Sequence, residues 1–209
     1  MTGAEDPRAI VRRGYDVVSH AYRGDSFEYA GSDYEHLLDR AFAGVPDGRD
    51  ILDLGCGNGI PISQVLSQRH QVTGVDLSAV QLRRAHGLVP GALFVQADMA
   101  HLPFRAAPFD AVVAFYSIIH VPVEEHAGLF NQLAALLRPG GFLLATLGHT
   151  AWTGTEDNWQ GVADGTMYWS HGGREDYLHW LTDAGFEVDW DEFVPEGKGG
   201  HLAVFGRRR

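Results

Sequence analysis

Residues 51–59, with the sequence ILDLGCGNG, constrain what this chain can fold into more than any other segment. An apolar run broken only by Asp53 is followed by glycines at positions 55, 57 and 59. Glycine permits sharp backbone turns, and it lets main-chain N–H groups approach a ligand at the start of the next helix. The segment therefore predicts a strand, a tight ligand-binding turn and a helix, which together begin a βαβ unit.

Short apolar runs and helix-length segments alternate through the middle of the chain. The apolar runs cover residues 51–54, 71–75, 93–96, 109–115 and 142–147. The helix-length segments between them cover residues 60–69, 78–87 and 123–137. Most of the runs are apolar throughout, as is typical of strands that are buried on both faces. The pattern predicts an α/β fold, a three-layer sandwich in which helices cover both faces of a parallel sheet.

The two ends of the chain depart from this alternation. Residues 1–48 are polar and predict two helices, so we assign them to an N-terminal helical cap on a main domain of residues 49–209. Residues 149–173 are polar and rich in aromatic side chains. Because they are too many for an ordinary connection, we interpret them as a candidate substrate lid.

The last part of the chain predicts one helix and a pair of strands. The helix covers residues 175–184 and is followed by Gly185, a residue that often ends helices. The strands cover residues 187–194 and 201–207. A link of six residues is too short for a crossover helix, so these two strands are expected to be antiparallel.

Composition narrows the range of partners and compartments. Asp and Glu number 27 against 16 Lys and Arg, and the net charge of -11 would repel nucleic acid and anionic membranes. Cys56 is the single cysteine, which excludes an internal disulfide and a cysteine-based zinc site. The sequence has no secretory signal pattern and no apolar run long enough to span a membrane, so we expect a cytoplasmic protein.

Acidic residues stand at the ends of the second and third predicted strands. Asp76 ends the second strand, where a carboxylate can accept hydrogen bonds from both hydroxyls of a ribose. Asp98 follows the third strand, where it could accept a hydrogen bond from the exocyclic amine of adenine. Since the carboxyl ends of parallel strands share one edge, these acids and the glycine turn should meet in one crevice.

Five motifs of the chain resemble those of the class I S-adenosylmethionine-dependent methyltransferases, small-molecule type. In chain order they are ILDLGCGNG, VTGVDLS, QADMAHLPF, FDAVVAFYSIIHV and LLRPGGFLLATL, which together span roughly residues 48–148. The resemblance implies S-adenosylmethionine as the cofactor and S-adenosylhomocysteine as its product. It also implies a Rossmann-like sandwich whose seven-stranded, mostly parallel sheet has the order 3-2-1-4-5-7-6, with strand 7 antiparallel.

The resemblance carries a set of site residues onto this chain. Tyr15 and Tyr22 resemble aromatic residues that cover the cofactor in many small-molecule members, although helix packing would explain either tyrosine equally well. The other implied contacts are Asp53, Gly55, Cys56, Gly57 and Gly59 around the methionine, Asp76 and Leu77 at the ribose, Asp98 and Met99 at the adenine, and Phe115 and Tyr116 beside the donor.

Two other nucleotide-binding classes fit the glycine turn less well. A phosphate-binding P-loop requires a lysine after the last glycine, and Lys198 is the only lysine of the chain. A nicotinamide dehydrogenase has the fingerprint Gly-x-Gly-x-x-Gly, whereas here the third glycine comes one residue early.

Methyl transfer from a sulfonium is an in-line displacement, which depends mainly on alignment and on exclusion of water. A base is needed only when the nucleophile must lose a proton. The candidates are His120, His149 and His171, which follow strand ends or lie in the lid. His120 could instead be a structural residue or a contact of the cofactor alone. The histidines outside this rim and the acids form no metal-ligand pattern, so we expect no catalytic metal. Five other histidines are predicted to be exposed on helices or connections: His70, His86, His101, His126 and His179.

A small-molecule acceptor is expected between the N-terminal helices, His120 and the lid. Trp152, Trp159, Tyr168 and Trp169 would suit an aromatic or polyketide-like compound, and core packing is the alternative role for them. Two other functions remain open: a protein that binds the cofactor or its product without transfer, and a protein or RNA methyltransferase. The acidic charge and the absence of an Asn-Pro-Pro-Tyr type motif after the fourth strand disfavour the second. The sequence leaves monomer and homodimer open.

Overall fold

The computed structural model describes residues 5–105 and 109–209; residues 1–4 of the predicted cap lie outside this part. Its helices begin close to the predicted positions, although the third is much shorter than the segment 60–69. They are α1 (Pro7–Tyr22), α2 (Asp33–Ala41), α3 (Ile62–Leu66), α4 (Ala79–Leu88), α5 (His126–Leu136) and α6 (Arg174–Asp183).

The strands include all seven that the sequence predicts and two that it does not. They are β1 (Asp50–Leu54), β2 (Gln71–Asp76), β3 (Leu93–Gln96), β4 (Phe109–Ala114), β5 (Leu137–Gly148), β6 (Trp152–Glu156), β7 (Met167–His171), β8 (Phe186–Glu196) and β9 (Gly199–Arg208).

Seven of the strands form one sheet of order β3-β2-β1-β4-β5-β9-β8. β1 to β5 run parallel, and β9 is antiparallel to both β5 and β8. Once β6 and β7 are left out of the numbering, this is the predicted order 3-2-1-4-5-7-6, and the antiparallel last strand is confirmed. The Rossmann-like α/β fold class is therefore correct.

Two apolar clusters fill the space between the sheet and its helices, which makes the three layers. One cluster joins the sheet to α5 and α6 through residues such as Phe130 and Tyr177. The other joins it to α2 and α3 through residues such as Leu37 and Ile62. The central strands contribute side chains to both clusters, which is why their sequences are apolar throughout.

The segment 149–173, interpreted from the sequence as a candidate substrate lid, contains two strands that the sequence did not predict. β6 and β7 pair antiparallel as a separate two-stranded sheet, which we call the β6–β7 hairpin. The hairpin packs on α1 through a third apolar cluster, formed by Val11, Val18, Trp159 and Met167. Gly14 allows this contact, because a Cβ there would stand 2.4 Å from the carbonyl oxygen of Thr166.

Candidate active site

A crevice opens at the carboxyl ends of β1, β2, β3 and β4, and α1 covers it. It encloses about 750 Å³ of space, a figure that includes volume open to solvent. We call it the strand-end crevice. Ten of the predicted cofactor residues line it: Tyr15, Tyr22, Gly55, Gly57, Asp76, Leu77, Asp98, Met99, Phe115 and Tyr116.

The glycine turn has the close approaches that its sequence predicts. Gly55 has a φ of 76°, and a Cβ there would stand 2.2 Å from the Cβ of Ser117. Gly57 lines the crevice with a φ of 55°. Gly59 does not line it, and a Cβ there would stand 2.9 Å from Val89 and 3.4 Å from Phe94. Its φ of 82° is one that glycine adopts readily, so Gly59 contributes to the shape of the turn from outside the crevice.

Asp76, the last residue of β2, is hydrogen-bonded to the backbone of the glycine turn. Its Oδ2 accepts a hydrogen bond from the Gly57 N–H at 2.9 Å, and its Oδ1 accepts one from the Ser78 N–H at 2.8 Å. Burial raises the pKa of this carboxyl group to about 6. Each oxygen keeps a lone pair for a ligand hydroxyl, which is what the ribose hypothesis requires.

Asp98, predicted to accept a hydrogen bond from the adenine amine, already has partners in the protein. Its Oδ1 accepts a hydrogen bond from the Ala100 N–H at 2.9 Å, and the guanidinium of Arg8 binds its Oδ2. Arg8 also binds Glu125, so α1 is tied across the crevice to two acids. No motif marks Arg8 in the sequence, since its partners lie 90 and 117 positions away.

A narrow pocket lies beside the glycine turn and contains both Asp53 and Cys56. Asp53 is 2% exposed, its Oδ2 accepts a hydrogen bond from the Ser63 hydroxyl at 2.5 Å, and burial raises its pKa to about 7. Burial also raises the pKa of the Cys56 thiol. Arg23 lines the same pocket from the N-terminal segment. The lining of the pocket therefore includes both a potential anion and a cation.

Arg23 was not among the predicted site residues. Its guanidinium lies 4.5 Å from the ring centroid of Phe27 and donates a hydrogen bond to the hydroxyl of Tyr34 at 2.9 Å. Aromatic faces stabilise a guanidinium without neutralising it. No motif in the sequence marks Arg23, because its contacts with Phe27 and Tyr34 are formed only in the folded chain.

A second cavity adjoins the crevice between the N-terminal segment, the β6–β7 hairpin and the β8–β9 link. We call it the aromatic cavity. Its lining includes the rings of Tyr15, Tyr22, Tyr34, Tyr116, Trp159 and Trp169, with the carboxylates of Asp33, Glu156 and Glu196. Trp152, which we expected to face a ligand, is 48% exposed and packs beside His171.

Four residues line both the crevice and the aromatic cavity: Tyr15, Tyr22, Tyr116 and His120. Tyr116 follows the end of β4 with a left-handed φ of 52°, and its N–H donates a hydrogen bond to the Thr146 hydroxyl at 2.6 Å. A tyrosine in this conformation is strained by about 1–2 kcal/mol, and such strain is often found at functional sites.

His120 is 7% exposed at the junction of the two spaces. Its Nδ1 lies 2.7 Å from the carbonyl oxygen of Tyr168, and its Nε2 lies 2.9 Å from the hydroxyl of Tyr15. The ring also packs against Trp169 at a centroid distance of 4.4 Å. Burial lowers the pKa of His120 to about 4, so the ring is neutral at pH 7.

The other two candidate bases lie away from this junction. His149 is exposed, and its ring packs on Phe193 at a centroid distance of 4.6 Å. His171, at the end of β7, packs against Gly148. Neither lines the crevice or the aromatic cavity, so the structure does not bring them together with His120. Strand ends were a sufficient guide to the edge of the sheet, but not to the direction of each side chain.

Two histidines predicted to be exposed are instead buried. His126 is 0% exposed, and its ring stacks on Tyr177. His70 is 6% exposed. His86, His101 and His179 are exposed as predicted.

Within residues 5–105 and 109–209, no group of three or more His, Cys, Asp or Glu side chains could hold a metal ion. In the same ranges, no helix has both the length and the apolar character needed to cross a bilayer.

Comparison with known proteins gives a domain family and several relatives. Residues 51–141 match a family described as a methyltransferase domain. The chain is 34% identical over 125 residues to a sterol 24-C-methyltransferase of Gibberella zeae, with 56% of this chain and 32% of that protein covered. It is 35% identical over 154 residues to 27-O-demethylrifamycin SV methyltransferase of Amycolatopsis mediterranei, with 64% and 56% covered. The chain thus spans about one third of the length of the first relative and little more than half of the second.

Solved structures share the fold at low sequence identity. Magnesium protoporphyrin IX methyltransferase of Synechocystis PCC 6803, solved with bound S-adenosylmethionine, has a TM-score of 0.74 at 20% identity, with 100% of each chain covered. The cyclase SpnF has a TM-score of 0.73 at 20% identity, with 98% of this chain and 97% of that chain covered.

Proposed function

We propose that this chain is a class I S-adenosylmethionine-dependent methyltransferase and that it transfers the cofactor's methyl group to a small molecule in the aromatic cavity. The observation that carries the proposal is the junction of the two spaces. The strand-end crevice and the aromatic cavity share Tyr15, Tyr22, Tyr116 and His120. A donor and an acceptor bound on either side would therefore meet without crossing bulk water, and such alignment can supply roughly 7–11 kcal/mol.

The residues of the crevice fit the cofactor at each of its parts. Asp76 would hold the ribose hydroxyls with the lone pairs that its two N–H partners leave free. Arg8, Asp98 and Met99 surround the end where the adenine would lie. Gly55 packs so closely on Ser117 that no side chain fits there, so its main chain lines the crevice directly.

The narrow pocket fits the amino-acid end of the cofactor. That end carries an ammonium and a carboxylate, and the pocket has Asp53 on one wall and Arg23 on another. The raised pKa of Asp53 indicates a buried carboxyl group that lacks a cationic partner, which a ligand ammonium would supply. When bound, S-adenosylmethionine supplies a methyl group on a positively charged sulfur. The chain's own contribution is to orient this group and to keep water from the junction.

The aromatic cavity supports a small, partly aromatic or multi-ring acceptor. Its six rings offer flat apolar faces, and its rim carboxylates offer hydrogen-bond acceptors. The relatives named for a sterol and for a rifamycin are consistent with an acceptor of this kind. The net charge of -11 does not favour RNA as an alternative acceptor.

Binding without transfer is the competing function. The neighbour SpnF is named as a cyclase, which is an example of this fold with another activity in its name. Two measurements separate the possibilities. Calorimetry with S-adenosylhomocysteine tests for the cofactor site, and tritium transfer from methyl-labelled S-adenosylmethionine to a panel of phenols, alcohols, amines and sterols tests for activity. Saturable binding with transfer to one class supports the proposal. Binding without transfer to any of them favours the competing function, and no binding refutes both.

A further inference from the structure

We propose that the acceptor's reacting group is a hydroxyl, and that Tyr15, oriented by His120, accepts the hydrogen bond of that hydroxyl. This inference rests on the proposed function and names its substrate class. It follows from the direction of two hydrogen bonds at the junction of the crevice and the aromatic cavity.

The first bond determines the tautomer of His120. A backbone carbonyl can only accept a hydrogen bond, so the contact of 2.7 Å between Nδ1 and the Tyr168 oxygen requires the proton on Nδ1. In a neutral imidazole the other nitrogen, Nε2, then has a lone pair and no proton. The ring is kept neutral because it is 7% exposed and packed against Trp169.

The second bond determines the polarity of Tyr15. Since Nε2 can only accept, the Tyr15 hydroxyl must donate its proton across the 2.9 Å contact. The tyrosine oxygen can therefore offer a ligand a lone pair but no proton. Burial raises the pKa of Tyr15, so the hydroxyl keeps its proton at neutral pH.

Three separate elements hold this arrangement. Tyr15 comes from α1, His120 from the turn after β4, and the Tyr168 carbonyl from β7 of the hairpin. The ring of Tyr15 meets those of His120 and Trp159 edge to face, at centroid distances of 5.4 and 5.5 Å. Such packing on several sides restricts the rotation of the tyrosine ring.

A lone pair at the junction selects for an acceptor that brings a proton. A hydroxyl acceptor can donate to Tyr15 and direct its own remaining lone pair at the methyl group. An alkene carbon has no proton to donate. An amine could donate one, but its methylated product is a weakly acidic ammonium that needs no base.

The proton balance also fits a hydroxyl. The acceptor oxygen forms a bond to the methyl carbon as the carbon–sulfur bond breaks, and the electron pair of that bond stays on sulfur. The hydroxyl proton passes to the oxygen of Tyr15, while the proton of Tyr15 passes to Nε2 of His120. The imidazolium then loses a proton to solvent once the product leaves. A protonated ether is a far stronger acid than imidazolium, so even a weakly basic histidine can accept this proton.

The first test is direct observation of the tautomer. NMR of the full chain labelled with 15N-histidine and saturated with S-adenosylhomocysteine should show His120 protonated on Nδ1 and not on Nε2 at pH 7. His120→Gln identifies the signal by its loss. A proton on Nε2, or on both nitrogens, overturns the inference while leaving the proposed function intact.

The second test compares phenol with anisole, in which a methyl group replaces the hydroxyl proton. Both are titrated into the protein saturated with S-adenosylhomocysteine, and affinity is followed by NMR. We expect the wild type to bind phenol about three- to tenfold more tightly, as one hydrogen bond would give.

The Tyr15→Phe variant should lose this preference, and the matched variant Tyr29→Phe should keep it. Tyr29 is a partly buried tyrosine that lines neither the crevice nor the aromatic cavity. A preference that survives in Tyr15→Phe, or that is missing from the wild type, overturns the inference. Failure to bind S-adenosylhomocysteine at all would instead refute the proposed function.

Discussion

Replacement of Asp53 by asparagine should make the empty protein more stable at alkaline pH. Asp53 is 2% exposed and accepts a hydrogen bond from the Ser63 hydroxyl. Burial raises its pKa from 3.8 to about 7, because the charged carboxylate is poorly solvated there. Asparagine has nearly the same shape and can still accept the bond from Ser63, but it carries no charge.

The magnitude follows from the pKa shift. A group whose pKa is raised on folding stabilises the protein most below its unfolded pKa, and this stability is lost as the pH rises through the folded pKa. For Asp53 the window runs from about pH 4 to pH 7. At about 1.4 kcal/mol per pKa unit, the ionised form costs roughly 4 kcal/mol at pH 8. The weaker bond from Ser63 to an amide offsets part of the gain, so we expect a net stabilisation of about 2–3 kcal/mol.

Thermal unfolding at pH 8 and at pH 4.5 measures this effect. At pH 8 the melting temperature of Asp53→Asn should exceed that of the wild type by roughly 4–12 °C, and at pH 4.5 the difference should largely disappear. The quantity to compare is the difference in melting temperature between the variant and the wild type at each pH. Asp76, with a pKa raised to about 6, adds the same pH dependence to both proteins, and the difference cancels it.

Asp50→Asn is the matched control for this experiment. Asp50 is the first residue of the same strand, β1, at the strand end away from the crevice. Its side chain is 46% exposed and paired with Arg138. Its loss should change stability by less than about 1 kcal/mol at either pH. A variant at position 53 that is less stable than the wild type at pH 8, or equally shifted at both pH values, would refute the argument from burial.

Three further predictions concern the crevice. Asp76→Ala should weaken the affinity for S-adenosylhomocysteine at least tenfold in calorimetry, because the ribose loses two charge-assisted bonds; unchanged affinity would remove Asp76 from the site. His120→Ala should lower turnover of any acceptor found by tritium transfer while leaving affinity for S-adenosylhomocysteine within about threefold, since its bonds to Tyr168 and Tyr15 lie at the acceptor side. Arg8→Ala should speed amide hydrogen exchange in Pro7–Tyr22 at least tenfold by mass spectrometry, because two ion pairs to Asp98 and Glu125 are lost, and equal rates would show that α1 is held by other contacts.

Local patterns were enough to predict the sheet and the position of the crevice. The apolar runs matched β1 to β5, and the six-residue link predicted the antiparallel pair β8 and β9. Asp76 was placed at the crevice from its position at a strand end alone. These predictions succeed because burial on both faces requires apolar residues throughout, and because parallel strands end at one shared edge.

The lid and the histidines were harder to predict. The segment 149–173 has few apolar residues in strict alternation, yet β6 and β7 pair because the hairpin packs on α1. His120 and His149 both follow strand ends, but one side chain enters the junction and the other faces solvent. The direction of a side chain after a strand depends on the turn that follows, for which the sequence had no clear signal.

The sequence by itself determined the fold class and the edge at which ligands should bind, because both depend on residues near one another in the chain, whereas the strand order came from the family resemblance. Only the tertiary structure decided which groups act together at that edge. Tyr15 meets His120 across 105 positions, His120 meets Tyr168 across 48, and Arg8 meets Asp98 across 90. Such contacts depend on how α1 and the hairpin pack over the sheet, and packing at this distance leaves no periodic pattern in the residues themselves.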